Sequence, residues 1–151
     1  MKYVDVKEVF AEIPDEITLA ISISGCPIRC PGCHSKYLWG DIGEELNTEA
    51  LSSLVTGHIG ITCVCFMGGD QASEEIDRLA RFVKENYKGV STAWYSGRIE
   101  VPDNVDVRNF DYLKLGPYDE QAGPLGERTT NQRFYCVRDG ELIDMTYRFW
   151  K

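Results

Sequence analysis

Residues 17–34 read ITLAISISGCPIRCPGCH, and this stretch decides the fold. From Ile17 to Ile23 large aliphatic residues alternate strictly with small ones, so each kind occupies one face of the segment. A period of two predicts a β-strand. The face of small residues leaves space for a ligand or for another layer of structure. The strand stops at Gly25, and a cluster of cysteines follows at once.

Helices and strands alternate after this cluster. We predict a helix from Asn47, which can cap it, to Thr56, and a helix from Ser73 to Tyr87 with one apolar stripe. Residues 61–66 are apolar on both faces and predict a buried parallel strand. Further strands are predicted over residues 90–95 and 112–115. This order is typical of a parallel sheet with crossover helices.

The C-terminal part predicts a loop over residues 116–130 and a β-hairpin over residues 133–145, which turns at Asp139-Gly140. We therefore expect one α/β domain over residues 1–151. The pattern alone leaves open whether the sheet is open or curls into a partial barrel. In both arrangements ligand sites collect at the carboxyl ends of the strands. The cysteine loop and Gly68-Gly69-Asp70 both follow strands, which indicates one shared site.

Composition excludes several classes of protein. The chain has 151 residues, 43% hydrophobic and 26% charged, which is ordinary for a globular protein and leaves no uninterrupted apolar segment for a membrane span. With 16 basic and 24 acidic residues the net charge is −8, so a nucleic acid is not the expected partner. Residues 1–8 have no apolar core of a signal peptide, so we expect a cytoplasmic protein.

Four chemistries compete for the cysteine loop. Cys30 to His34 fits the C-x-x-C-H pattern of c-type haem attachment, and Cys30 with Cys33 could form a redox dithiol. Structural zinc would use Cys26, Cys30, Cys33 and His34, although adjacent Cys33 and His34 make a cramped pair. The fourth possibility is an iron–sulfur cluster held by the three thiolates with one iron open. It uses all three cysteines and requires no other ligand.

Other residues allow a structural and a functional interpretation. Gly68-Gly69 can serve a strand-to-helix turn or a ligand, because glycine permits close approach of the backbone. Asp70 can cap the following helix or belong to the site. For the remaining cysteines we expect core packing rather than a second metal site; these are Cys63, Cys65 and Cys136. Trp94 is assigned equally to the core and to a pocket wall.

The spacing C-x3-C-x2-C after a first strand resembles the signature of radical S-adenosylmethionine (radical SAM) enzymes. The chain looks most similar to the activating proteins of anaerobic (class III) ribonucleoside-triphosphate reductases. The matching segments run from about Leu19 to Arg133 and are C-P-G-C at residues 30–33, Trp39, G-G-D at residues 68–70, W-Y-S-G at residues 94–97, D-Y-L-K-L-G at residues 111–116 and T-N-Q-R at residues 130–133. His34 is closer to the related activator of pyruvate formate-lyase. Ser35, Leu38 and Leu115 depart from the usual Asn, Thr and Asp.

This resemblance implies a partial (βα) barrel of the radical SAM type with a C-terminal β-hairpin. A chain of this length is too short for the roughly 200 or more residues of a complete barrel. The implied cofactors are a 4Fe–4S cluster, held by Cys26, Cys30 and Cys33, and S-adenosylmethionine (SAM). The implied SAM contacts are His34, Gly68, Gly69 and Asp70.

The implied reaction forms a glycyl radical on the large subunit of the anaerobic reductase, with a flavodoxin- or ferredoxin-like protein as electron donor. One alternative is a radical SAM enzyme that acts on another glycyl-radical enzyme or on a small molecule. A different class of alternative is a non-enzymatic zinc or electron-transfer module that uses the same cysteines.

Overall fold

The computed structural model describes residues 1–33 and 35–150 and contains one mixed β-sheet of eight strands. The strands are β1 (Lys2–Val9), β2 (Thr18–Ile23), β3 (Glu44–Glu45), β4 (Cys63–Met67), β5 (Ser91–Tyr95), β6 (Tyr112–Leu115), β7 (Arg133–Arg138) and β8 (Glu141–Asp144). The α-helices are α1 (Thr48–Thr56) and α2 (Ser73–Asn86). Short 3₁₀ helices cover Lys36–Trp39, Asp70–Ala72, Val107–Asn109 and Thr146–Phe149.

The centre of the sheet is a run of four parallel strands in chain order, β2-β4-β5-β6. The predicted parallel pairing is therefore confirmed. The outer strands β1 and β3 on one side, and β7 and β8 on the other, pair antiparallel. Because the parallel strands advance in one direction without reversal, right-handed crossovers carry their connections to one face of the sheet.

The larger hydrophobic core lies on this helix-bearing face. Leu19, Ile21 and Ile23 of β2 belong to it, as the alternating pattern predicts, whereas Ile17 lies just before the strand and is 38% exposed. The apolar stripe of α2 packs into the same core through Ile76, Leu79, Ala80 and Val83. A smaller cluster on the opposite face contains Ile13, Cys63, Cys65, Ala93 and Phe134.

Local signals in the sequence set two boundaries as expected. The Asn47 side chain accepts a hydrogen bond from the backbone N–H of Ala50 at 2.8 Å and so caps α1. The hairpin turns at Asp139 and Gly140, whose φ angles are 51° and 79°. Two consecutive positive φ angles are those of a type I′ turn, which matches the twist of the flanking strands.

The sheet has two strands, β1 and β3, that the sequence pattern does not predict. β1 was not predicted because its residues are mostly half-buried and give a weak apolar pattern, although it pairs with β2 from Tyr3 to Val9. β3 has only two exposed residues and gives no pattern at all. Over the described residues the sheet ends at β3 and β8 and does not close, so the partial barrel stays a prediction.

Within residues 1–33 and 35–150, neither α-helix has the length and apolar character that crossing a membrane requires.

Candidate cofactor site

A cavity of about 210 Å³ lies at the carboxyl ends of the parallel strands, on the face opposite the helices. Each of the four parallel strands contributes to its lining, through Ser22, Met67, Tyr95 and Lys114. These four residues are paired in succession across the sheet, Ser22 with Met67, Met67 with Tyr95 and Tyr95 with Lys114. They form one continuous row, which we call the floor row. The predicted location at strand ends is thus where the cavity is found.

All three cysteines of the loop line this cavity. Cys26, Cys30 and Cys33 are free and partly buried. Backbone N–H groups donate to two of the sulfurs at 3.3 Å, Tyr118 to Cys30 and Ser35 to Cys33. Hydrogen bonds to the sulfurs are among the features that tune clusters held by thiolates.

The three thiols fit a 4Fe–4S cluster better than a single metal ion. Among residues 1–33 and 35–150, no group of three or more His, Cys, Asp and Glu side chains is arranged to hold one metal ion. A cluster does not require this arrangement, because each thiolate binds its own iron at a separate corner. Soft sulfur donors at one cavity suit iron–sulfur chemistry. His34, which the sequence assigned to SAM binding, lies outside the described residues.

Backbone hydrogen bonds hold the cysteine loop against the 3₁₀ helix that follows it. Gly25 donates to the carbonyl of Gly40, and Cys26 donates to the carbonyl of Leu38, both at 3.0 Å. Trp39 lines the cavity, and the cations of Arg29 and Lys36 lie 5.9 and 6.0 Å from the centre of its ring. These contacts fix the approach of the loop to the ends of the strands.

The Gly68-Gly69 turn meets the cavity through its first glycine. Gly68 lines the cavity, and its carbonyl accepts a hydrogen bond from Trp94 Nε1 at 2.7 Å. Trp94 itself is fully buried, so it belongs to the core and not to the cavity wall. A Cβ on Gly69 would lie 2.6 Å from Cδ1 of Ile76 in α2, so this glycine faces the helix. Both glycines have positive φ angles, 108° and 90°.

Asp70 is buried on the cavity wall and binds the loop that follows β5. Its carboxylate accepts hydrogen bonds from Ser96 Oγ at 2.6 Å and from Gly97 N at 2.9 Å. The Arg98 guanidinium lies 3.9 Å from the same carboxylate. The N-cap residue of α2 is Ala72, without a side-chain cap, and the Asp70 carboxylate binds Ser96 and Gly97 instead of capping this helix. Asp70 holds two cavity-lining loops together.

The cavity also receives residues from the segment between β6 and β7. Gly116, Tyr118 and Gln132 line it, and Gln132 is 5% exposed with its Nε2 donating to the carbonyl of Gly116 at 3.4 Å. Asn131 donates to the carbonyl of Pro117 at 3.0 Å. Arg133 instead reaches Asp144 of β8 at 4.0 Å. Of the T-N-Q-R segment, Gln132 therefore belongs to the cavity.

The other cysteines lie apart from the cavity lining. Cys63 and Cys65 are fully buried in the smaller core cluster, as expected. Burial raises the pKa of both thiols far above the ordinary value for cysteine, so they stay neutral. Cys136 of β7 pairs in register with Tyr112 of β6. Among the described residues these cysteines form no second metal site.

Sequence reasoning missed Lys114 and Tyr95. Lys114 stands in an interior strand between Leu113 and Leu115, which are both buried. A lysine on one face of an otherwise apolar interior strand is unusual, because a cation is costly to bury. A lysine within an apolar strand was therefore the signal in the sequence that could have identified Lys114.

Comparison with known proteins supports the same cofactors. Residues 17–101, more than half of the chain, match the family described as "4Fe-4S single cluster domain". A curated relative, the 7-carboxy-7-deazaguanine synthase of Pyrobaculum aerophilum, is 38% identical over 71 residues, which cover 39% of this chain. The match spans about a third of that relative, 32% of its length. No solved structure matches the chain significantly.

These similarities, together with the three cysteines at one cavity, support a radical SAM type of iron–sulfur enzyme with a 4Fe–4S cluster and SAM as cofactors. By the extent of the family match, the chain belongs to the 4Fe-4S single cluster domain family.

Proposed function

We propose that this protein is a radical SAM activase that forms a glycyl radical on the large subunit of an anaerobic ribonucleoside-triphosphate reductase. One observation carries the proposal. Segments that resemble the activating proteins and lie far apart in the sequence converge on one cavity: the cysteine loop, Gly68, Asp70, Gly116 and Gln132 all line it. Their convergence supports one site that binds cluster and SAM together.

In this site Cys26, Cys30 and Cys33 would hold the cluster, and Gly68 would offer its backbone to SAM at the end of β4. When bound, the cofactors would supply the radical chemistry that removes a hydrogen atom from a carbon. The apolar residues Ile28 and Leu38 line the cavity beside the cysteines and reduce the access of water. Gly97 permits this packing, because a Cβ there would lie 2.8 Å from the Ile28 side chain.

The open sheet suits a large substrate. The described strands end at β3 and β8 and do not close into a barrel. A reactive site needs exclusion of solvent. A loop of the reductase inserted at the cavity would supply that exclusion. The fold that belongs to this proposal is a partial (βα) barrel, open on the side where the loop enters. An electron donor of the flavodoxin or ferredoxin type is part of the same proposal.

The test combines the anaerobically reconstituted protein, SAM, a reductant and the large subunit of the reductase. We expect a glycyl radical signal in electron paramagnetic resonance and one 5′-deoxyadenosine for each radical. Cleavage of SAM without a radical on the reductase contradicts the activase assignment. A protein with one tightly bound zinc ion and no iron would contradict the whole class of function and favour the zinc module.

A second candidate is a radical SAM enzyme that acts on a small molecule. It is favoured by the similarity to a 7-carboxy-7-deazaguanine synthase, whose name describes a small heterocyclic product. Consumption of a small metabolite in step with SAM, without a radical on any protein, would select this candidate over the activase.

A further inference from the structure

Two exposed cations lie at the cysteine loop of a protein whose overall charge is negative. Arg29 belongs to the loop itself, and Lys36 begins the 3₁₀ helix that follows it. Their charged groups lie 5.9 and 6.0 Å from the centre of the same ring, that of Trp39, so the two cations are neighbours. We call Arg29 and Lys36 the basic patch. Because the net charge of the chain is −8, this local positive charge is an exception on its surface.

The basic patch has no anionic partner in the described part of the chain. Among the residues that the structure describes, no carboxylate oxygen lies within 4.0 Å of the Arg29 guanidinium or the Lys36 ammonium. Arginines elsewhere do have such partners, as Arg78 has in Glu75 at 2.9 Å. Neighbouring like charges repel each other, so an acidic surface that covers both cations is attracted to the patch.

The backbone of Arg29 has a conformation that is uncommon for an arginine. Its φ is 51°, in the left-handed region. A glycine would adopt this conformation at a lower cost, because it has no Cβ to clash with the backbone. Strained residues of this kind concentrate at functional sites. Here the conformation belongs to a residue that places a guanidinium beside the Trp39 ring, next in sequence to the cluster ligand Cys30.

A separate side of the cysteine loop is acidic. The carboxylate of Glu120 lies against Gly32, where a Cβ would be 2.7 Å from its Cδ. Asp119 and Glu120 line a second cavity of about 380 Å³ beside Cys30, and neither residue of the basic patch lines it. Charges of opposite sign therefore border the loop that carries the cluster ligands. Such an arrangement both attracts a charged partner and orients it.

We propose that the basic patch is the docking surface for an electron-carrier protein with an acidic contact face. One electron passes from the reduced carrier to the oxidised 4Fe–4S cluster, with no bond made or broken and no proton moved. Because the rate of electron transfer falls steeply with distance, a carrier that docks on the loop of the cluster ligands is well placed. Complexes of this kind have small interfaces, and charges steer their formation.

The inference deepens the proposed function. It rests on the cluster in the cysteine loop and on the need for an electron donor, and it does not depend on the reductase as substrate. It adds which face of the protein the donor meets and which charge that donor presents there.

The rate at which a carrier reduces the cluster tests this role. The reconstituted protein is mixed anaerobically with reduced flavodoxin, an acidic carrier, and loss of cluster absorbance in stopped flow gives the rate constant. Binding of oxidised flavodoxin, which involves no turnover, is measured by titration calorimetry. Photoreduced deazaflavin serves as a small reductant that needs no docking surface.

The variants differ by single charges. Arg29→Gln and Lys36→Gln each remove a cation of the patch, and Arg29→Lys keeps the charge. Two controls lie outside the patch: Lys88→Gln removes an exposed cation just after α2, and Glu120→Gln removes a charge on the acidic side of the loop.

At an ionic strength of about 0.01 M we expect each neutralisation to slow reduction by flavodoxin about 3- to 10-fold, and the double variant about 10- to 100-fold. Affinity for oxidised flavodoxin falls with it. The differences vanish near 1 M salt, where the Debye length is about 3 Å. Arg29→Lys and Lys88→Gln react like the wild type, and Glu120→Gln reacts at least as fast. Deazaflavin reduces all variants at equal rates.

Equal rates of reduction by flavodoxin for the wild type and the double variant would overturn the inference. Slower reduction of the double variant by deazaflavin would also overturn it, because the substitutions would then act on the cluster itself. Weaker binding of the reductase subunit with normal reduction by flavodoxin would assign the patch to the reductase instead.

Iron content is measured for each variant. If Arg29→Gln does not assemble the cluster, Lys36→Gln decides alone, since Lys36 lies outside the spacing of the three cysteines. A missing glycyl radical on the reductase, with reduction by flavodoxin that depends on the patch, contradicts only the activase.

Discussion

The buried carboxylate of Asp70 accepts a hydrogen bond of 2.6 Å from the hydroxyl of Ser96, which joins the loop after β4 to the loop after β5. The same carboxylate accepts a hydrogen bond from Gly97 N. Gln71, the next residue of the same 3₁₀ helix, donates to the carbonyl of Ser24 after β2 at 2.7 Å. The loops that end three neighbouring strands are thus tied together by Asp70 and Gln71. The shape of the cavity depends on these contacts.

Removing the Asp70 carboxylate should therefore loosen the cavity. We expect Asp70→Ala to lower the free energy of unfolding by about 2–3 kcal/mol, because two donors lose a charged acceptor in a buried place. SAM binding should weaken as well, since the loops lose their fixed separation. Urea denaturation and equilibrium dialysis measure the two effects.

Two variants calibrate this experiment. Ser96→Ala removes one of the hydrogen bonds and should cost about 1 kcal/mol. The exposed Asp103→Ala should leave both stability and SAM binding unchanged. An Asp70→Ala protein as stable as the wild type would show that the carboxylate does not support the loops.

The six cysteines should separate into two groups in an iron assay. Cys26→Ala, Cys30→Ala or Cys33→Ala should each abolish assembly of the 4Fe–4S cluster, because all three thiols line the same cavity. Iron content and visible absorbance after anaerobic reconstitution measure the outcome.

Cys63→Ala, Cys65→Ala and Cys136→Ala are the controls and should keep their iron. For the fully buried Cys65 a loss of about 1 kcal/mol in stability is expected from the smaller side chain. In the apo protein a thiol-alkylating reagent should modify the loop cysteines first, since burial keeps Cys65 protonated. An iron content of Cys30→Ala equal to that of the wild type would contradict the assignment of Cys30 as a cluster ligand.

Gly69 should be more sensitive to substitution than another glycine of similar conformation. Gly69→Ala places a Cβ 2.6 Å from Ile76 Cδ1 and also strains a φ of 90°. Gly60 has a φ of 95°, but a Cβ at this position would have no other atom within 4 Å, so Gly60→Ala measures the conformational cost alone. We expect Gly60→Ala to lower the free energy of unfolding by about 1 kcal/mol, and Gly69→Ala to lower it by about 1–3 kcal/mol more.

Denaturation in urea compares these two variants. Gly69→Ala should cost less stability in an Ile76→Ala background than in the wild type, because the clashing methyl groups are then absent. Equal losses for Gly60→Ala and Gly69→Ala would mean that α2 moves freely to accept the added carbon.

The stability of the apo protein should depend on pH through Lys114. Its pKa is lowered by burial, so the unfolded chain binds this proton more tightly than the folded protein does. The resulting penalty is present below the folded pKa and fades as the pH rises toward the ordinary lysine value of about 10.4. Lys114→Met should therefore be at least as stable as the wild type at pH 7, with the difference shrinking at higher pH.

Unfolding of both proteins in urea at a series of pH values checks this. The difference between them isolates Lys114, since tyrosines with raised pKa values are common to both. A Lys114→Met protein that is less stable at pH 7 would indicate that the lysine is a structural residue.

The local sequence was sufficient for elements whose determinants are close together in the chain. The alternation over β2, the Asn47 cap of α1, the stripe of α2 and the Asp139-Gly140 turn all appear where expected. The spacing of Cys26, Cys30 and Cys33 was enough to indicate an iron–sulfur cluster, because thiolate ligands on a short loop are a local property.

Only the tertiary structure decided which distant residues meet at the cavity. Lys114 and Tyr95 become neighbours because β5 and β6 pair in one particular register, and register depends on packing of the whole sheet. Asp70 is held by Ser96 rather than by the helix next to it in sequence, because the ends of β4 and β5 come together in space. β1 likewise depends on its pairing with β2, because the apolar pattern of its own residues is too weak to predict a strand.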